Sequence, residues 1–239
     1  MSLRLPHGFR GVFRNDAAAR AVYSEAAGIA RILPHAVAVP ADIEDLVTLV
    51  RHSAATHAAL IPRGSGSGMP GGAIGEGVIV DLSRWDHVGD VNVSARSVRV
   101  GPGAIRADVD RAARRHGLRL PVDPSSGAFC TIGGMASTNA AGAHSMHFGS
   151  MRRWVRAIDC VLADGTRAEV RRGGARPDDH RSLDRFLVLE CQLSDAAPGE
   201  LPRHAGVLKD SSGYAVAGYA CSGDLVDLLV GSEGTLAFF

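Results

Sequence analysis

A glycine-rich segment between two short apolar runs constrains this chain more than any other feature of its sequence. Five glycines occupy the eleven positions 62–72, which follow the apolar run at 59–62 and precede the one at 78–82. Because glycine has no Cβ and permits positive φ, its backbone N–H groups can converge on a small anion. The segment therefore predicts a loop that holds a phosphate or pyrophosphate. A flexible linker, which glycine and serine also favour, is the alternative.

Two familiar phosphate motifs can be tested against these glycines. No lysine follows them, so the segment is not a Walker loop and a nucleoside-triphosphatase is excluded. Gly66, Gly68 and Gly71 have the spacing of the Rossmann fingerprint, but that fingerprint must open a helix. Pro70 opposes a helix here, and the run that begins at Val78 is typical of a strand. A Rossmann domain is therefore not predicted.

The apolar pattern on both sides of the glycines indicates a small mixed β-α-β unit at residues 36–95. Within it, residues 36–40 read as a strand and Asp42 can cap a helix whose apolar positions share one face. A weak helical pattern runs from Asp16 to Leu33. Residues 1–35 are accordingly predicted to be an amino-terminal helical extension.

Residues 96–239 indicate a larger block of mainly antiparallel strands with flanking helices. A helix is expected at 104–116, and a β-hairpin is expected at Asp164–Gly165, between two alternating runs. A short strand at 97–100 is also expected. The fold class predicted for the whole chain is α+β.

Composition excludes several function classes. With 26 Lys+Arg against 25 Asp+Glu, the net charge offers no general attraction to nucleic acid. The four cysteines lie about thirty residues apart without a C-x-x-C pair, so no metal site is predicted and reduced thiols of a cytoplasmic protein are expected. No secretory signal is visible, and no window approaches the roughly 18 apolar residues of a membrane span.

A second site-like segment, residues 131–142, consists mostly of small residues and small polar ones. Such a segment can lie flat against a large planar ligand and offer hydrogen bonds from backbone and hydroxyl groups. The alternative is a tightly packed helix start with Thr131 or Ser137 as its cap. The residues alone do not decide between these interpretations.

The order of several motifs along the chain resembles the FAD-linked oxidase family, also called the vanillyl-alcohol-oxidase or PCMH type. The resemblance covers residues 37–239, and its later motifs are most similar to large D-2-hydroxyacid dehydrogenases that also carry an iron–sulfur domain. It implies a two-lobed FAD-binding domain at residues 36–239. The motifs are Pro62-Arg63-Gly64-Ser65-Gly66-Ser67-Gly68, Asp123-Pro124-Ser125-Ser126, Thr131-Ile132-Gly133-Gly134, Asn139-Ala140-Ala141-Gly142, Phe148-Gly149, Val161-Leu162-Ala163-Asp164-Gly165, Lys209-Asp210-Ser211-Ser212-Gly213-Tyr214 and Gly231-Ser232-Glu233-Gly234-Thr235-Leu236.

The resemblance implies FAD as the cofactor, held without a covalent bond because Ser67 stands where relatives that tether flavin commonly have a histidine. The first loop would wrap the pyrophosphate, the second segment would contact the flavin and ribityl chain, and the last motif would close over the cofactor. The residues implied to bind FAD are Pro62, Arg63, Gly64, Ser65, Gly66, Ser67, Gly68, Met69, Pro124, Thr131, Gly133, Gly134, Ser137, Asn139, Gly142, Glu233, Gly234 and Leu236.

The same resemblance implies an oxidoreductase in which hydride passes from the α-carbon of a small 2-hydroxyacid to flavin N5. The candidate catalytic residues are Lys209 and His144. The substrate domain of the family is expected to be absent from this sequence, so that the chain alone is inactive, and an iron–sulfur group is the expected electron acceptor. The alternative is a non-catalytic FAD-carrying electron-transfer module or subunit.

Overall fold

The computed structural model describes residues 6–175, 177, 183 and 211–239. The strands are β1 (Val12–Arg14), β2 (Ala36–Val39), β3 (Leu60–Arg63), β4 (Val78–Asp81), β5 (Ala157–Leu162), β6 (Arg167–Arg171) and β7 (Ala237–Phe238). The helices are α1 (Ala17–Val22), α2 (Ile43–Thr56), α3 (Arg106–Arg114), α4 (Ile132–Ser137), α5 (Ser145–Phe148), α6 (Val216–Ser222) and α7 (Leu225–Leu229), with a 3-10 helix at Met151–Trp154.

The first sheet has the strand order β1-β2-β4-β3, in which β4 runs parallel to both β2 and β3. The central strands are almost entirely apolar and buried, as expected for parallel strands that are covered on both faces. Parallel pairing brings the carboxyl ends of β3 and β4 to one edge, where Arg63 lies opposite Asp81. The glycine-rich loop leaves the sheet at that edge.

Helix α2 covers this sheet and begins where the sequence predicted. The side chain of Asp42 accepts a hydrogen bond from the backbone N–H of Asp45, which satisfies one of the free donors of the first turn. The buried face of the helix presents Leu46, Val47 and Leu49 to the core. The predicted β-α-β unit is confirmed in this part of the chain.

The second sheet is antiparallel, with the strand order β6-β5-β7. The turn between β5 and β6 forms at the predicted hairpin, where Asp164 accepts from the N–H of Thr166 and Gly165 has φ +78°. Helices α6 and α7 pack on this sheet through Tyr219 and Val226. Mixed and antiparallel sheets with flanking helices confirm the α+β class.

Two local predictions are wrong. The helix expected from Asp16 to Leu33 ends at Val22, because the chain then turns back on itself through a hydrogen bond from the N–H of Ile32 to the carbonyl of Ser24. The strand expected at 97–100 is reduced to isolated bridges.

Within the described residues, no helix combines the length and apolar character needed to cross a bilayer.

Strand β1, which the sequence did not predict, adds residues 12–14 to the first sheet by pairing antiparallel with β2. The carboxylate of Asp45 holds the chain just before this strand. It accepts hydrogen bonds from the backbone N–H groups of Arg10 at 3.0 Å, Gly11 at 2.7 Å and Ala41 at 2.9 Å, although its side chain is only 1% exposed. Burial alone would raise the pKa of Asp45, but the three N–H donors and the nearby Arg10 guanidinium outweigh burial and lower it.

We expect Asp45→Asn to lower the free energy of unfolding by about 2–3 kcal/mol, because the new amide group faces N–H donors that need an acceptor. Urea denaturation measures this loss, with the exposed Asp86→Asn as the matched control. Because the folded pKa of Asp45 lies below its unfolded value of about 3.9, its stabilisation is present above that pH and is lost as the pH falls further. The difference between wild type and variant should therefore shrink in acid. A pH-independent difference would contradict this assignment.

Candidate cofactor site

The loop that joins β3 to β4 is irregular throughout and does not open a helix, which confirms that the Rossmann interpretation fails. Gly66 has φ +70°, a conformation that L side chains rarely adopt. An ideal Cβ at Gly66 would lie 2.6 Å from Nη2 of Arg63, so the guanidinium lies against the loop at this point. The loop is therefore shaped both by backbone conformation and by contact with Arg63.

An open cleft lies between this loop, helix α4 and the turn that contains Glu233. It is lined by thirteen of the eighteen residues that were predicted to bind the cofactor. These are Pro62, Arg63, Gly64, Ser65, Gly66, Ser67, Gly68, Pro124, Thr131, Gly133, Gly134, Ser137 and Glu233.

Close packing explains why glycine stands at two positions around the cleft. A Cβ at Gly64 would overlap Oγ1 of Thr131, and a Cβ at Gly234 would overlap Cγ of Pro62. The loop is thereby pressed against the start of α4 on one side and against the carboxy-terminal turn on the other. The backbone N–H of Glu233 donates to the carbonyl of Ser137 at 2.9 Å, which holds that turn on α4.

The backbone N–H groups of residues 64–68 are the strongest indication of a ligand. Among the described residues, none of these five groups has a protein acceptor, although all five residues line the cleft. Amides without partners need an acceptor from solvent or a ligand, and a pyrophosphate offers several oxygens to a group of such donors. An ideal Cβ at Gly68 meets nothing within 4 Å, so the space beside it is open. The residues present therefore fit a pyrophosphate.

The first turn of α4, in contrast, is satisfied by the protein itself. Thr131 caps the helix by accepting from the N–H of Gly134 at 3.3 Å. The N–H of Ile132 donates to the carbonyl of Ala104, and that of Gly133 to the carbonyl of Pro102. The interpretation as a helix start is thus confirmed, with Thr131 as the cap. The same turn lines the cleft, and its contact with a planar ligand stays a prediction.

Five of the predicted residues do not line the cleft. Met69 and Leu236 are largely exposed, at 71% and 41%. Gly142 packs against the backbone of Asp123, and Gly234 packs against Pro62. Asn139 is buried in the αL conformation.

The side chain of Asn139 forms hydrogen bonds with other parts of the protein. Its Nδ2 donates to the carbonyl of Ser211 at 3.1 Å, and its Oδ1 accepts from the backbone N–H of Arg152 at 2.8 Å. These bonds tie the end of α4 to two distant segments. Asn139 therefore supports the wall of the cleft, and its predicted contact with the flavin stays a prediction.

The structure does not bring the candidate catalytic residue His144 into the cleft. His144 is exposed, and its Nδ1 bonds the carboxylate of Asp123, which lowers the pKa of that carboxyl. Lys209 lies outside the described residues. Within the described residues no group of three potential metal ligands occurs.

Sequence reasoning missed the residues behind the loop. The guanidinium carbon of Arg63 lies 5.2 Å from the ring centroid of Tyr23, whose hydroxyl donates to the carboxylate of Asp81. Burial, together with the hydrogen bond to the Asp81 carboxylate, raises the pKa of Tyr23 to about 12. No sequence motif marks Tyr23, since it follows α1 at a distance of forty residues from Arg63.

Comparison with known proteins shows which family has this arrangement. Residues 34–171 match the family model described as an FAD binding domain. D-2-hydroxyglutarate dehydrogenase of Pseudomonas putida is 35% identical over 164 residues, which are 67% of this chain and 16% of that relative. D-lactate dehydrogenase of Archaeoglobus fulgidus is 30% identical over 203 residues, which are 84% of this chain and 36% of the relative. The chain thus spans only about a third, or less, of the length of these relatives.

Solved structures confirm the predicted fold. The structure of 6-hydroxy-D-nicotine oxidase from Arthrobacter nicotinovorans superposes with a TM-score of 0.59 at 19% identity. The superposition covers 70% of this chain and 36% of that chain. At this identity the likeness establishes the fold and not the reaction.

We expect Gly68→Asp to raise the Kd for FAD by about a hundredfold or more, because it adds a carboxylate where a pyrophosphate must approach. Since a Cβ at this position meets no protein atom within 4 Å and the backbone requires no positive φ, the variant should fold normally. Flavin fluorescence titration measures Kd, and thermal unfolding of the cofactor-free chain checks the fold.

Gly218→Asp is the matched control, because Gly218 is exposed on α6 and a Cβ there makes only an ordinary contact with Ala215. It should bind FAD as the wild type does. Undiminished FAD binding by a folded Gly68→Asp variant would show that the pyrophosphate lies elsewhere.

Proposed function

Since the chain belongs to the FAD-binding domain family, we propose that it is the cofactor-binding part of a flavin-dependent dehydrogenase that oxidises a small D-2-hydroxyacid. The observation that carries the proposal is the row of five N–H groups at residues 64–68, which line the cleft and have no acceptor in the part of the chain that the structure describes. The names of the relatives, which act on D-2-hydroxyglutarate and D-lactate, supply the substrate class.

FAD, when bound, supplies a flavin ring that accepts a hydride. The role of this chain is to bind FAD and to orient it. Residues 64–68 donate backbone hydrogen bonds to the pyrophosphate, and Arg63 places a positive charge behind the loop that offsets the phosphate charge. Met135 and Leu82 give the cleft apolar walls that exclude water. The serine at position 67 is a poor covalent partner for flavin, so we propose non-covalent binding.

The cleft itself offers little to a substrate carboxylate. Among its described lining residues Arg63 is the only cation, and Nη1 of Arg63 already donates to the carbonyl of Ala73 at 3.1 Å while the guanidinium stacks on Tyr23. His144 is engaged with Asp123 and lies outside the cleft. We therefore propose that recognition of the hydroxyacid depends on segments beyond the region shared with the relatives.

We also propose an electron acceptor and a cellular location for the protein. The electrons gained from the hydroxyacid pass to a second acceptor, for which an iron–sulfur group of another domain or subunit is the first candidate. A cytoplasmic location agrees with the free, buried thiols of Cys130 and Cys160. The alternative function, an electron-transfer module without its own substrate, is favoured by the absence of a free cation among the described residues of the cleft.

We expect the FAD-loaded 239-residue chain to show no reduction of its flavin by D-lactate, glycolate or D-2-hydroxyglutarate under anaerobic conditions. Because the described lining of the cleft offers no cation besides the engaged Arg63 to orient the carboxylate, we expect that the α-carbon is not held near the flavin. The visible absorption of the flavin reports reduction directly, and photoreduction serves as a positive control. Stereospecific reduction by the isolated chain would show that a complete active site lies within it.

The substrate class itself is tested by a chimera in which the matching part of this chain replaces that of the Pseudomonas putida relative. The chimera should reduce its flavin with a D-2-hydroxyacid and not with the L enantiomer, and the same chimera carrying Gly68→Asp should lack flavin. Reduction by a nicotinamide nucleotide and by no hydroxyacid would contradict the proposal.

A further inference from the structure

The chain that follows α1 crosses directly over the glycine-rich loop. We call residues 23–32 the amino-terminal strap. The N–H of Ala27 donates to the carbonyl of Gly66 at 2.9 Å. At the next residue, an ideal Cβ on Gly28 would overlap the carbonyl oxygen of Met69, so the backbones of strap and loop are in close contact there. The strap therefore touches the loop at two of its turns.

Tyr23 forms a third connection, from behind the loop. Its hydroxyl donates to Asp81 and its ring lies under the guanidinium of Arg63, which in turn lies against Gly66. Asp81 is buried, and its other oxygen accepts from the N–H of Ser83 at 2.8 Å, so the carboxylate is fixed in place. Tyr23 thus links the ends of β3 and β4 to the underside of the loop.

The strap is itself a defined structure. The N–H of Ile32 donates to the carbonyl of Ser24 at 2.9 Å, and Glu25 and Arg31 form an antiparallel bridge. Ser24 is fully buried, and its hydroxyl donates to the carbonyl of Ala21 at 2.7 Å. The strap can therefore hold a neighbouring loop in one position.

The loop needs such support. Residues 64–68 contain only glycine and serine. Among the described residues their N–H groups have no acceptor, and the hydrogen bond inside the segment joins the hydroxyls of Ser65 and Ser67 at 3.2 Å, so the backbone is not fixed by hydrogen bonds of its own. Glycine has the largest backbone freedom to lose when a ligand orders it. A loop held in its binding conformation beforehand binds more tightly, because less of this freedom is lost on binding.

We propose that the amino-terminal strap pre-organises the loop for the pyrophosphate of FAD, with Tyr23 as a positioning residue that does not touch the cofactor. The strap lies before residue 34, where the match to the family model begins. We expect its effect at the pyrophosphate, because its contacts with the loop, among the described residues, are at Arg63, Gly66 and Met69.

Tyr23→Leu tests this inference in the full 239-residue chain, without any hydroxyacid. We expect Kd for FAD to rise about tenfold and Kd for ADP, which carries the pyrophosphate without the flavin, to rise by the same factor. Tyr23→Phe keeps the ring under Arg63 and should restore most of the affinity. Titration of FAD fluorescence and competition by ADP measure both constants at a temperature where thermal unfolding shows each variant to be folded.

Gly28→Ala is an independent variant that pushes the strap away from Met69 and leaves Tyr23 unchanged. It should raise the Kd values for FAD and ADP in parallel. If Tyr23→Leu does not fold, this variant tests the inference in its place. Tyr219→Phe, a buried tyrosine of the second core, is the control and should leave both constants unchanged. Unchanged Kd values in folded strap variants, or weaker FAD with unchanged ADP, would overturn the inference. Neither outcome bears on the substrate class proposed above.

Discussion

The parallel pairing of β3 with β4 is the constraint on which the rest of the site depends. It places Arg63 beside Asp81 at one edge of a buried sheet, and the chain must then leave β3 and return to β4 through the loop. Because β4 is buried along its whole length and β3 is paired with it in register, the two ends of the loop are fixed as well. The cleft therefore begins where the edge strand β3 leaves the buried strand β4.

The segments around the loop are held in place by close contacts at glycine residues more than by long side chains. Gly64 lies on Thr131, Gly234 on Pro62 and Gly28 on Met69, and at each of these places a Cβ would overlap a neighbouring atom. This packing leaves the N–H groups of residues 64–68 without an acceptor among the described residues. A ligand rich in acceptor oxygens is the natural complement of such a surface.

Much of this arrangement could be predicted from the sequence. The glycine spacing, the proline at position 70 and the apolar runs on both sides indicated a phosphate loop between strands, and Asp42 and Asp164 marked the helix cap and the hairpin that form. Such signals are local, because they depend on φ preferences and on hydrogen bonds between residues close in the chain.

The missed features depend on contacts between distant residues. Asn139 belongs to a motif, yet its side chain bonds Ser211 and Arg152, and only the three-dimensional packing shows this. The Asp16–Leu33 pattern suggested a helix, but after Val22 the backbone hydrogen-bonds within the strap and to the loop. Tertiary contacts of this kind override helix propensity and leave no periodicity to read.

The proposed site depends on the N–H groups of residues 64–68 holding the pyrophosphate. Titration of the ¹⁵N-labelled chain with ADP, followed by amide chemical shifts in NMR spectra, tests this directly. We expect the largest shifts at the amides of residues 64–68, while those of Ile132 and Gly133, which already donate to protein carbonyls, should move less. Saturating ADP that shifts other amides and leaves residues 64–68 unchanged would contradict it.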